Sequence, residues 1–179
     1  PALAALRASY PGEDETSLRK RFRLGEIYFA APDVDFTTFL KDLATYDGMV
    51  QHVTLALNPN DSTLAFAARH HGVSRAGRPD PDELTEEETR LVQAAYGEMA
   101  FDLLLVDPDM IPGLARGAHD FWYRHPWVST DVLIQLLYQA RPSERGLELL
   151  EDDRGRRAWT FGPDYSQRAG EAIEQLTRE

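Results

Sequence analysis

The sequence predicts an α+β fold of predominantly helical content, a single compact domain over 1–179 with a small β component and a C-terminal β-hairpin. Three observations carry that expectation. The chain has 179 residues, of which 42% are apolar, and a chain of this length typically buries roughly 70% of its unfolded surface. One well-formed core follows. Most apolar residues recur at the spacing of a helix face, and only two or three short stretches alternate with the two-residue period of a strand. No period of about 20 to 50 residues recurs, so a solenoid or propeller is not indicated.

The elements follow in order. Ala2 to Ser9 reads as a helix that stops at Tyr10-Pro11-Gly12, and the β-rich residues from Phe22 to Phe29 read as a strand. Asp33 or Asp35 caps a helix whose Phe36, Phe39, Leu40, Leu43 and Ala44 share one face. Asp47-Gly48 closes it. Val53, Leu55 and Leu57 alternate with Thr54 and Ala56 as in a half-buried strand. After the turn Asn58-Pro59-Asn60-Asp61, a short helix capped by Asp61 or Ser62 runs to His71. The Gly-, Pro- and Arg-rich loop 72–82 subdivides the chain internally into a mixed part, 1–71, and a helical part, 83–179.

Thr85 and Glu88 form a capping box, and Leu91, Val92, Ala95, Tyr96, Met99 and Leu103 lay an apolar stripe along a long helix ending near Val106. A further helix through Leu114, Ala118, Phe121 and Trp122 stops at His125-Pro126. Ser129 or Thr130 opens the next, with Val132, Leu133, Leu136, Leu137 and Ala140 on its buried face. Residues 147–151 and 157–161 flank Asp152-Asp153-Arg154-Gly155 as a β-hairpin, and a terminal helix follows Asp164.

Charge and composition narrow the function classes. With 30 acidic against 19 basic residues the net charge is −11, which disfavours attraction to phosphate backbones or anionic lipid. Pro79 to Met110 alone holds ten acids and one base, partly explained by the favourable dipole at a helix start. Arg19, Lys20, Arg21 and Arg23 form a small basic patch. The absence of Cys removes disulfides, thiolate metal sites and a Cys nucleophile. Neither a long apolar run nor a basic leader is present, so the reading is a soluble, cytoplasmic protein without a membrane partner.

Few spacings point to chemistry. G-x-x-x-x-G-K-[ST], G-x-G-x-x-G and G-x-S-x-G are missing. His70 and His71 point about 100° apart on a helix, and His119 and His125 about 240°, so no pair shares a face. The catalytic candidates are His119, Asp120 and His125, converging with Asp107 or Asp109. Those two aspartates are also the candidates for a hard cation, against the plainer reading of Asp107-Pro108-Asp109 as a turn. No cofactor is predicted. The densest unusual segment runs from His119 to Trp127, where four aromatics adjoin Arg124, a composition found at interaction hot spots and also at core corners.

Three functional readings follow. The leading one is a non-catalytic interaction or regulatory protein, a homodimer or partner of another protein, working through Glu86 and Glu87 and the surface Trp122, Tyr123, Arg124 and Trp127. The second is a small-molecule or metal-dependent enzyme using His119, Asp120 and His125. The third arises because a helix at 130–140, a hairpin with a basic tip and a closing helix resemble in outline the end of a winged-helix domain. That resemblance implies phosphate contacts from Arg154, Arg156 and Arg157, although nucleic acid is disfavoured by the overall charge.

Overall fold

Four short apolar segments, separated by helices and loops, lie side by side in the same direction. The computed structural model describes residues 2–46, 48–80, 84–98, 100–151, 153, 155 and 157–178. Strands β1 (Glu26–Ala30), β2 (His52–Leu57), β3 (Phe101–Leu105), β4 (Glu148–Glu151) and β5 (Arg157–Thr160) form one sheet in the order β1-β2-β3-β5-β4. β1, β2, β3 and β5 are parallel, and β4 joins antiparallel through its hairpin with β5. The expectation of a predominantly helical α+β fold is therefore overturned. With 48% helix and 16% strand built around a central mixed sheet, the molecule is α/β.

The sheet separates two apolar clusters. Ile27, Phe29, Val53, Leu55, Phe101 and Leu103 face α3 (Phe36–Leu43) and α5 (Glu86–Glu98), with Leu3 of α1 (Ala2–Ser9) packed against the same cluster. Tyr28, Ala56, Leu104 and Trp159 belong to the opposite cluster, with Phe121 of α6 (Phe121–Arg124), Val128 and Ile134 of α7 (Pro126–Tyr138) and Tyr165 and Ala169 of α8 (Tyr165–Leu176). Such alternation along each strand sends successive side chains to opposite layers. β2 is buried on both faces, as expected for a central strand of a parallel sheet and not for the half-buried strand its alternation suggested.

Several element boundaries held because caps mark them. Asp35 accepts the Thr38 N–H at the start of α3, and Asp61 accepts the Leu64 N–H at the start of α4 (Ser62–His71). Thr85 and Glu88 bond reciprocally before α5. The hairpin and the terminal helix also form where expected.

Other boundaries moved. The basic run before β1 is helix α2 (Glu15–Phe22), capped by Asp14, so the strand begins later than the β-rich residues suggested. The long helix stops at Glu98, and Phe101 to Leu105 is a strand in the middle of the sheet. A short apolar run of this kind suits a buried helix and a buried strand equally well. Of the helix expected through Leu114, Ala118, Phe121 and Trp122, the part Phe121–Arg124 forms as α6, while residues 114–120 are turns and bends with Gly117 at positive φ. Helix α7 begins at Pro126, since proline at the first helical position loses no hydrogen bond.

The face of α7 is the largest surprise. Its buried residues are Val128, Asp131, Ile134 and Gln135, while Leu133, Leu136, Leu137 and Tyr138 are exposed. Of the expected apolar face, Ala140 is buried and Val132 half-buried, but Leu133, Leu136 and Leu137 point outward because the two polar side chains find partners beneath the helix. β5 pairs with β3, so the C-terminal hairpin is an edge of the central sheet and not the free wing of a winged-helix domain. Arg154, Arg156, Asp152, Asp47, Asp82, Glu83 and Met99 lie outside the described residues, as does the side chain of Tyr96.

Candidate active site

All four parallel strands end at the same edge, where ligand sites of α/β sheets gather because loops diverge there and helix starts converge. After β2 the chain turns through Asn58 to Asp61. Asp61 is wholly buried, and its Oδ1 accepts the Leu64 N–H at 2.9 Å. Its second oxygen, Oδ2, lies 2.8 Å from Nδ1 of His119. A carboxylate only accepts, so Nδ1 carries the hydrogen in this arrangement, and Nε2 is the ring's other nitrogen, turned away from Asp61. The His119 side chain is 41% exposed, and Nε2 has no protein partner among the described residues.

The two loops are tied to each other besides this contact. Asn58, also wholly buried, donates from Nδ2 to the carbonyl of Ala118 at 2.7 Å and accepts the Asn60 N–H on Oδ1. Ser62 donates from its backbone and its hydroxyl to the carbonyl of Gly117. Gly117 has φ +81, and a Cβ there would stand 2.9 Å from Ser62 Oγ, so glycine is required for both conformation and approach. The loop after α4 closes the edge from the other side. Gly77 accepts the Asn58 N–H and donates to Pro32, and Arg78 donates from Nε to the Pro59 carbonyl.

The other candidates lie elsewhere in this region. Asp120 pairs with Arg124, one helical turn on, and His125 Nε2 is 3.1 Å from the Pro112 carbonyl. His119 thus finds a carboxylate that sequence spacing did not suggest, while Asp120 and His125 make separate contacts. Asp107 accepts the Asp109 N–H as a turn, and Asp109 pairs with Arg116. Among the described residues, no group of three His, Asp or Glu side chains is arranged to hold a metal ion.

The aromatic segment divides. Phe121 is buried, and Trp127 packs near the rings of Tyr165 and Phe161 in the core. Trp122 is 44% exposed, and Tyr123 touches it at 4.9 Å between centroids with the Arg124 guanidinium 5.9 Å from the Tyr123 ring. Glu86 and Glu87 are exposed on α5, on the opposite side of the sheet, and Glu87 pairs with Lys41. Glu88 is buried, bonded to Thr37 and Thr85, so part of the acidic run fastens α5 to α3. Arg157 pairs with Glu151 across the hairpin.

A second polar cluster occupies the amino-terminal half of the sheet, beneath α7. His52 is 2% exposed, with Nε2 2.5 Å from Asp102 Oδ2 and Nδ1 3.3 Å from Glu26 Oε2. Trp159 donates to the other Asp102 oxygen, and Gln135 donates to Glu26. Burial disfavours the charged imidazole, but the bonds to Asp102 and Glu26 outweigh it and raise the His52 pKa above the usual histidine value. Asp102 is held below the usual carboxylate range: burial pushes it up, and the His52 and Trp159 hydrogen bonds more than reverse this.

Next to this cluster Asp131 and Arg145, both wholly buried, pair at 3.1 Å, and Arg145 also donates to Gln135. Burial drives the Asp131 carboxyl up to about 6 against the opposing pull of Arg145 and Tyr28. Neither His52 nor Asp131 is open to a substrate. One sequence signal could have found them: Asp131 and Gln135 lie four apart on an otherwise apolar helix face. Asp61 was legible as a helix cap, but its second role depends on a histidine 58 residues away.

No helix among the described residues is long and apolar enough to cross a membrane. Comparison with known proteins finds no matching family model, no similar curated protein and no similar solved structure.

Proposed function

We propose that the chain carries the proton-transfer pair of a hydrolytic enzyme, with His119 as general base and acid and Asp61 as its positioning residue. The observation that carries this is the wholly buried Asp61 carboxylate 2.8 Å from Nδ1 of the partly exposed His119, at the carboxyl edge of a parallel sheet. Asp61 fixes the tautomer and stabilises the imidazolium once it forms. Nε2 takes a proton from a hydroxyl or water attacking an acyl carbon and returns it to the leaving group. The reaction class is ester or related acyl hydrolysis.

The test has two arms. Nitrogen-15 correlation spectra report the His119 tautomer directly, with hydrogen on Nδ1 expected in the wild type and a mixed or reversed population in Asp61→Asn. A wild-type ring protonated on Nε2 would overturn the assignment. Hydrolysis of short p-nitrophenyl esters is expected to fall about 10²–10⁴-fold in His119→Ala; hydrolysis retained in that variant would equally overturn it.

A second reading rests on the exposed Trp122, Tyr123 and Arg124, whose aromatic and guanidinium groups suit a protein-binding surface. It predicts that Trp122→Ala with Arg124→Ala loses association with a partner while melting unchanged. Association unaffected by both substitutions would count against it.

A further inference from the structure

We infer that β1 is the centre of a twofold interface between two copies of this chain, which join their sheets edge to edge and cover the outer face of α7. β1 stands at one end of the strand order, and no described strand pairs with its outer side. All five of its residues are only half-buried, unlike those of β2. Ala31 donates to Ala56 on the inner side. Alternation then turns the backbone groups of Ile27 and Phe29 inward and those of Glu26, Tyr28 and Ala30 outward. An outward backbone of this kind is a template for another strand.

The flank points the same way. α7 packs against β1, its one charged residue, Asp131, is buried, and Leu133, Leu136, Leu137 and Tyr138 are exposed, Leu137 by 70%. A helix whose outward face is this apolar is normally covered on that face as well.

Charge and register favour a second copy as the cover. Tyr28 is the middle residue of β1, and its N–H and C=O face outward, so an antiparallel twofold through Tyr28 lets the two tyrosines exchange both hydrogen bonds. The same axis carries the Phe22 and Arg23 end of one copy toward the Val34 and Asp33 end of the other, whereas Arg21 is already paired with Glu13 and Asp35 caps α3. Phe22 and Val34 are exposed, Arg23 is exposed with no acidic partner among the described residues, and the Asp33 side chain is half-exposed beside Arg75. Basic meets acidic and apolar meets apolar, twice, as an isologous contact requires. The contact does not depend on the Asp61–His119 reading.

Sedimentation velocity of the full chain from about 1 to 200 µM tests it. The weight-average mass is expected to rise from 20.2 kDa toward twice that value. Leu137→Glu, at an exposed site, is expected to weaken association at least about tenfold while leaving the far-ultraviolet spectrum unchanged. Arg23→Asp weakens it several-fold, and adding Asp33→Arg recovers part of the loss. A mass that stays at 20.2 kDa throughout, or association indifferent to Leu137→Glu, overturns the interface.

Discussion

Replacing Asp131 by asparagine removes an ionisable group from a wholly buried position while keeping its size. Burial raises the Asp131 pKa from 3.8 to about 6 in the folded chain, against the pull of Arg145. At ~1.4 kcal/mol per pH unit, that difference corresponds to about 3 kcal/mol between the two protonation states. The contribution is fully present below pH 3.8, where Asp131 is neutral folded or unfolded, and is lost as pH rises through about 6. Asparagine does not titrate. The stability of Asp131→Asn relative to wild type should therefore climb with pH, by roughly 2 kcal/mol between pH 4.5 and 7, which is roughly 4–8 °C in Tm for a chain of this size. Urea denaturation followed by circular dichroism at four pH values across that window measures it. Taking the difference between the two proteins cancels the opposite trend contributed by Asp14, Asp35, Glu88 and Asp102, whose pKa values are lowered. A flat difference, or one that falls as pH rises, would refute the reasoning, because it would mean that the Arg145 charge and not burial decides the state of Asp131.

Two further outcomes can be checked by the same method. His52 has a raised pKa, so its contribution is complete below the free histidine value and fades as pH climbs through the higher folded value; His52→Gln should cost about 3–5 kcal/mol near pH 6 and clearly less at pH 9, and a cost that grows with pH would count against the buried imidazolium. Gly77→Ala should lower the urea midpoint by an amount equivalent to about 1–3 kcal/mol, because a Cβ there would stand 2.3 Å from the Ala31 carbonyl carbon and 2.7 Å from Leu64 Cδ1; a change under about 0.5 kcal/mol would show that the contact is loose.

What the sequence made legible was local. Asp35, Asp61 and the Thr85–Glu88 pair mark helix starts through bonds that span three residues, and the hairpin rests on its own short turn. Parallel pairing is not local: β2 meets β3 across two helices, α4 and α5, and the loop between them, and no residue type announces which strands will be neighbours. Phe101 to Leu105 carries Leu103, Leu104 and Leu105 in succession, so neither the helix nor the strand period is visible in it. The face of α7 misleads for a physical reason. Apolar spacing points to Leu133, Leu136 and Leu137 as the core side, but Gln135 and Asp131 are drawn inward by Glu26, the Ile27 carbonyl and Arg145, groups from distant segments.

The molecule contains two histidines held by buried or partly buried carboxylates, and exposure together with partner number separates their roles. His52 is 2% exposed and contacts carboxylates through both ring nitrogens. Nε2 is hydrogen-bonded to Asp102 of β3 and Nδ1 lies 3.3 Å from Glu26 of β1, so the buried ring links β1, β2 and β3. His119 is 41% exposed and contacts one carboxylate through one nitrogen. That leaves Nε2 open to solvent with the ring oriented by Asp61, and in the proposed reaction the developing charge would be countered from behind by the same carboxylate. A general base needs an unshared lone pair and a route for the proton. Of these two histidines the second has both, so the carboxyl edge of the sheet, and not the denser network beneath α7, is the place suited to the proposed proton transfer.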